Sequence, residues 1–251
     1  MKTSKTLLFL FTFVLSLFFA SCSSSIEIKA GNQKTADVNF SINLGKEFYD
    51  ILQNLTSGMA ELNESSGLDS ENIIFSESEI RSNFEGSDFK NLSVKVPNAR
   101  EVFISGEIPS PDNQVAVNDG SNIKIANFLT CTDSSLTIIL SAQSIQELVK
   151  NLLVETQSYF DLFMAPVFGS EVMSEQDYKN LISLVYGNEI SSVLEKASIK
   201  VTLLPPEGKS IKKASLSDTE QSKTSLKKAV FSVPLFDFLT LQNTKTFSIS
   251  W

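Results

Sequence analysis

Val38-Asn39-Phe40-Ser41-Ile42-Asn43-Leu44-Gly45-Lys46-Glu47-Phe48-Tyr49-Asp50-Ile51-Leu52-Gln53-Asn54-Leu55-Thr56-Ser57-Gly58-Met59 changes period once, and that change sets the fold class. Up to Leu44, apolar side chains alternate with Asn39, Ser41 and Asn43, the period of a strand with one buried face. After Gly45, Phe48, Ile51, Leu52, Leu55 and Met59 fall at helical spacing. The same step from strand to helix recurs later. Leu136 to Leu140 is a strongly apolar strand behind the turn Asp133-Ser134-Ser135. Ser144 with Glu147 then forms a capping-box pattern ahead of Ile145, Leu148, Val149, Leu152 and Leu153.

The rest of the chain is read from the same signals. Leu92 to Val96 is a strand stopped by Pro97, and Val102 to Ile104 is another. Pro109 to Asn113 is a rigid turn, and Asn118-Asp119-Gly120-Ser121 joins a hairpin, since Gly supplies the positive φ such turns need. Glu61 to Ser70 reads as loop. Ser174 with Asp177 starts a helix carrying Tyr178, Leu181, Ile182 and Val185, interrupted at Gly187-Asn188. Ile190, Val193 and Leu194 then lead into the strand Ile199 to Leu204, closed by the turn Pro205-Pro206-Glu207-Gly208. Ser215 to Ser225 reads as polar and mobile, and Ala229 to Val233 and Thr246 to Trp251 are the closing strands. This order predicts an α+β fold, with antiparallel sheets carrying a helical layer. Segments match at offsets near a hundred residues (Phe48 to Leu55 with Ile145 to Leu152, Val94-Lys95-Val96 with Ile199-Lys200-Val201). The order therefore also admits two pseudo-symmetric strand–helix–strands halves, 37–135 and 136–251.

Composition removes several function classes. The 251 residues carry 21 Lys+Arg against 29 Asp+Glu, a formal charge of −8. An acidic chain lacks the positive surface that nucleic acid demands, so no nucleic-acid partner is expected. There is no histidine, which removes Ser-His-Asp and Cys-His mechanisms and histidine-ligated zinc. No phosphate loop, dinucleotide fingerprint or Cys-x-x-Cys occurs, so no cofactor and no metal are expected. Only Cys22 and Cys131 are present, too few for a disulfide framework, and Cys131 reads as a small buried residue.

The N-terminus says where the chain goes. Lys2 and Lys5 precede the apolar run Leu7 to Phe19, and Ala20 and Ser21 are the small residues a signal peptidase requires. Phe19-Ala20-Ser21-Cys22 resembles the lipobox of bacterial lipoproteins, with Phe19 where that family prefers Leu. The resemblance covers residues 1 to about 25. It implies a diacylglycerol on the Cys22 thiol, cleavage between Ser21 and Cys22, and attachment to a membrane through N-terminal acyl chains, which hold stably when there are two or more. The competing reading is an ordinary secretory signal cut after Ser21. The expected organisation is a signal peptide over 1–21, a polar tether over 22–36 and one α+β domain over 37–251. The expected location is the cell envelope, at the outer membrane or cell surface rather than the inner membrane.

Few residues point to chemistry. Ser87/Lys90, Ser210/Lys213 and Ser225/Lys228 share the Ser-x-x-Lys spacing of penicillin-binding enzymes, but the companion Ser-Asp-Asn and Lys-Thr-Gly motifs are missing. Ten acids crowd residues 46–90 beside Lys46 and Arg81, without the spacing of a calcium loop, and read as a solvated face. Tyr159, Phe160, Phe163 and Met164 cluster at the end of the long helix. They pack as core or line an apolar cavity. The leading expectation is a non-catalytic envelope lipoprotein that binds or organises something at a membrane surface, its partner an envelope protein or an apolar ligand. The alternatives are a carrier of lipid or another apolar ligand between helix and sheet, and a carboxylate-dependent hydrolase.

Overall fold

Ile26, Ile28 and Ala30 alternate with Glu27 and Lys29, and this period of two builds the first strand, β1 (Ser24–Ala30). The computed structural model describes residues 24–31, 34–46, 49–50, 53, 77–83, 89–108, 129–143, 145–146, 164–169, 172–216 and 222–251. The loop expected over 61–70, the turn at 109–113, the hairpin around 118–121, the capping pair Ser144 and Glu147 and most of both longer apolar helices lie outside these residues.

Strand β1 corrects the expected tether. Ser24 to Ala30 pairs with β2 (Ala36–Asn43) on one side, antiparallel, and with β7 (Ser198–Leu204) on the other, parallel. Ile26, Ile28 and Ala30 are buried. A polar stretch became a central strand because its few apolar residues all fall on one face and two long neighbours satisfy its backbone groups.

The larger sheet runs β3-β4-β2-β1-β7-β10-β9, where β3 is Lys90–Asn98, β4 Glu101–Ile108, β9 Ser222–Thr224 and β10 Ala229–Pro234. The smaller runs β5-β6-β11-β8, where β5 is Leu129–Cys131, β6 Ser135–Leu140, β8 Lys213–Leu216 and β11 Lys245–Ser250. Every pairing except β1–β7 is antiparallel. Helices with described bounds accompany them: α1 (Glu77–Asn83), α2 (Glu175–Tyr186), α3 (Asn188–Glu195) and α4 (Leu235–Leu239). The fold is α+β, with largely antiparallel sheets.

Two further expectations change. Pro97 does not stop β3. The strand runs to Asn98 through an irregularity between Lys95 and Asn98, and β3 is an edge strand, where a missing amide costs no ladder bond. The polar segment Ser215 to Ser225 holds the end of β8 and all of β9, each supported by a longer neighbour. The matched segments around β2 and β6 also part company. β2 pairs with β1 and β4 in the larger sheet, whereas β6 pairs with β5 and β11 in the smaller. Strands from residues 37–135 and 136–251 share both sheets.

The core lies between the inner faces of the two sheets. Phe231 of β10 and Phe247 of β11 are both fully buried and meet edge to face at 5.5 Å, a preferred aromatic geometry. Tyr178 of α2 meets Phe236 of α4 the same way at 5.7 Å. On β4, Gly106 is required by close approach, since a Cβ there would stand 2.5 Å from the Phe89 ring. Trp251 closes the smaller sheet, its amide and indole N–H donating to Ser134 O (3.0 Å) and Asp133 O (3.1 Å) of the β5–β6 turn. Over β1 and β2 the outer face of the larger sheet is polar, as one-sided burial requires: Ser25, Glu27, Lys29, Asp37, Asn39 and Ser41 all point there.

Candidate functional site

Cross-strand pairing assembles a row of charges on that outer face. Lys29 lies opposite Asp37, Asp37 opposite Glu107, and Glu107 opposite Lys90. Like charges directly opposite each other destabilise a sheet, and a lysine at each end of the row offsets the central carboxylates. Glu207, in the turn after β7, adds a third carboxylate. Lys29, Asp37, Glu107 and Glu207, with Ala30 and with Gly31 and Thr35 of the β1–β2 turn, line an open cleft of about 350 Å³. Its shape depends on Gly31, where a Cβ would collide with Thr35 Oγ1 and where the amide donates to Thr35 O at 2.8 Å.

The cleft can recognise a cationic or hydroxylated group through Asp37, Glu107 and Glu207, with Lys29 as a donor. Asp37 and Glu107 are partly buried. Among the described residues no group of three or more His, Cys, Asp or Glu is placed to hold a metal ion.

A second ionic cluster ties the helices together. Lys179 of α2 bridges Glu175 (2.7 Å) and Glu195 of α3 (3.0 Å), and its ammonium stands 5.3 Å from the Phe236 ring centroid. Those two carboxylates hold the Lys179 ammonium above its ordinary range. Glu175 is lowered, mainly by its bond to Lys179. Asp237 of α4 is raised, first by burial and then by its hydrogen bond with Glu175. Burial also pushes the Tyr178 phenol up. The cluster joins α2, α3 and α4.

The residues singled out from sequence are scattered. Cys22, Tyr159, Phe160 and Phe163 lie outside the described residues. Met164 sits in a turn at φ 46° with 41% of its surface exposed, and the chain enters the core just beyond it at Ala165 and Val167. Ser225 is engaged in a backbone turn: its hydroxyl accepts from the Lys227 and Lys228 amides (3.4 and 3.2 Å) and donates to Lys228 O. Ser210 and Lys213 are exposed, Lys90 opens β3, and Ser87 lies outside the described residues. In the acidic segment, Lys46 pairs with Asp50 (2.6 Å) and Arg81 with Glu77 (3.0 Å), all largely exposed. Cys131 is fully buried, its thiol donating to Thr35 O at 3.5 Å.

Sequence reading passed over Lys29, Asp37, Glu107 and Glu207. Each is unremarkable locally, and only the strand order β4-β2-β1 brings the first three side by side. No family model, no curated protein and no solved structure matches this chain.

Proposed function

We propose that this chain is a lipid-anchored cell-envelope protein with a non-catalytic binding role. Cys22 carries the acyl chains, and the Lys29/Asp37/Glu107/Glu207 cleft receives a cationic or hydroxylated group of an envelope partner. The observation that carries this reading is the placement of the first strand. The first described strand starts at Ser24, two residues past the lipobox cysteine, so cleavage between Ser21 and Cys22 would leave every described element whole. The acidic balance of the chain supports acyl chains, rather than surface charge, as the main attachment.

The test replaces the thiol. Cys22→Ser in the full chain, expressed in a bacterium fed labelled palmitate, should lose the label and move from the membrane to the soluble fraction. Its circular-dichroism spectrum should be unchanged. Label retained in the variant would overturn the reading.

A further inference from the structure

Two neighbouring loops carry lysines without carboxylate partners. The first runs from Pro205, behind β7, to Lys212, ahead of β8; the second, Ser225 to Lys228, is the hairpin turn between β9 and β10. Backbone hydrogen bonds hold them together. The Ile211 amide donates to Leu226 O at 2.8 Å, and Ile211 is itself buried. The Lys212 amide ties the first loop to Ser250 O of β11 at 2.8 Å, and the buried Pro205 and Pro206 seat its start. In the second loop the Ser225 amide donates to Lys228 O at 2.8 Å, and the Ser225 hydroxyl accepts from the Lys227 and Lys228 amides. Together the loops form one fixed tip.

Lys209, Lys212, Lys213, Lys227 and Lys228 are exposed there, and none forms an ion pair with the described residues. Two carboxylates adjoin them: Glu207 on the first loop, and Asp133 in the β5–β6 turn beside Trp251. Beyond Glu207, Asp37 and Glu107 stand in a row with Lys29 and Lys90, two acids against two cations. Asp218 and Glu220 lie outside the described residues. The residues that flank their segment, Leu216 and Ser222, pair with Phe247 and Phe231, set back along the strands from Ser250 and Ala229 at the tip. Among the described residues the tip therefore carries an excess of positive charge. Leu226, next to Lys227 and joined through its carbonyl to the residue before Lys212, leaves 70% of its surface in water. An exposed leucine among lysines matches an interface with negative charge at its surface and hydrocarbon just beneath. Lysine stems lie along such a boundary while their ammonium groups stay at the phosphates. A soluble polyanion would engage the lysines and leave Leu226 in water.

We propose that this tip is a contact for an anionic phospholipid bilayer, with Leu226 entering the hydrocarbon margin and the lysines meeting headgroup phosphates. The contact is local and salt-sensitive, additional to any acyl chain, and does not rest on the Cys22 reading.

The test uses tryptophan emission, because Trp251 is the single tryptophan of the chain and, at 9% exposure, supplies a constant background. Leu226→Trp puts an indole at the tip of the full-length, detergent-extracted protein. The protein is returned to vesicles of brominated phosphatidylcholine, with or without an equal part of phosphatidylglycerol. Leu184→Trp, on α2 at a position 84% exposed, is the control. Adding phosphatidylglycerol should shift the emission from position 226 to the blue and quench it, and should change nothing at position 184. Raising salt from about 0.1 M to about 1 M shortens the reach of charge from about 10 Å to about 3 Å and should reverse the shift. Lys212→Gln with Lys227→Gln should abolish it, and Lys209→Gln with Lys228→Gln, made separately, should weaken it, which guards against a local defect. No phosphatidylglycerol-dependent response at position 226, an equal one at 184, or one that survives both lysine pairs overturns the contact. A response to soluble polyglutamate but not to vesicles also overturns it and assigns the tip to an acidic partner chain. The two vesicle types differ only in headgroup charge, so the absence of lipid on Cys22 would overturn the anchor and leave this comparison intact.

Discussion

Asp237 and Glu175 share a hydrogen bond, and their environments push the two carboxyls in opposite directions. Asp237 rises from its ordinary value of 3.8 because α4 buries it, whereas Glu175 falls from 4.5 because Lys179 donates to it. The consequences for stability have opposite signs. A raised acid holds its proton longer when folded, so the Asp237 contribution is present below pH 3.8 and is lost as pH rises through the folded value. The Glu175 contribution is present above 4.5 and is lost as pH falls through its lower folded value; the group is mostly exposed, so solvent screens it. Asp237→Asn should therefore raise the urea midpoint at neutral pH, with the gain shrinking to nothing as pH falls below 3.8. A variant less stable than the parent at pH 7 would show that the charged Asp237 is needed, through Lys245 or Lys179.

Helix α2 shows an element whose ends are written locally. Ser174 accepts from the Asp177 amide at 3.1 Å and donates to its carboxylate, and Glu175 and Asp177 sit where the helix dipole favours negative charge. Gly187, at φ 93°, both ends α2 and begins α3, a conformation that side chains with a Cβ rarely adopt. Ser174→Ala should cost about 1 kcal/mol in equilibrium urea unfolding, with no change in the slope of the transition. Both ends were legible in the sequence because the bonding partners lie within four residues. Strand β1 was not, although Ile26, Ile28 and Ala30 alternate. Its neighbours β2 and β7 begin 12 and 174 residues downstream of Ser24, and the second of these has no local trace. α4, only five residues long, escaped for the same reason: Leu235, Phe236, Phe238 and Leu239 are helical against the core, not by period.

At the scale of the molecule, β1 joins the β3-β4-β2 set to the β7-β10-β9 set. Deleting residues 24–30 should divide the larger sheet and abolish cooperative thermal unfolding by circular dichroism. Deleting residues 1–23 should leave the melting temperature unchanged within error. Equal behaviour of the two truncations would return residues 24–30 to the role of a tether. The sheets are also coupled through their aromatic contact. Phe231→Ala or Phe247→Ala should each cost about 3–5 kcal/mol in urea unfolding, the range for buried aromatics. The double variant should cost less than the sum, since the two rings touch.

The sequence by itself determined the α+β class, most of β2, β3, β6, β7, β10 and β11, the start and end of α2, the acidic balance and the absence of histidine chemistry. These follow from periodicity, capping and composition, which act within one or two turns of chain or are simple counts. Only the tertiary structure decided that Ser24 to Ala30 is a central strand lying parallel to β7. It also decided that Pro97 stays within an edge strand, that Lys29, Asp37 and Glu107 form one row beside Glu207, and that Asp237 meets Glu175. Each depends on which segments pair across long stretches of chain. That choice is made by matching buried faces and satisfying backbone hydrogen bonds over the whole sheet.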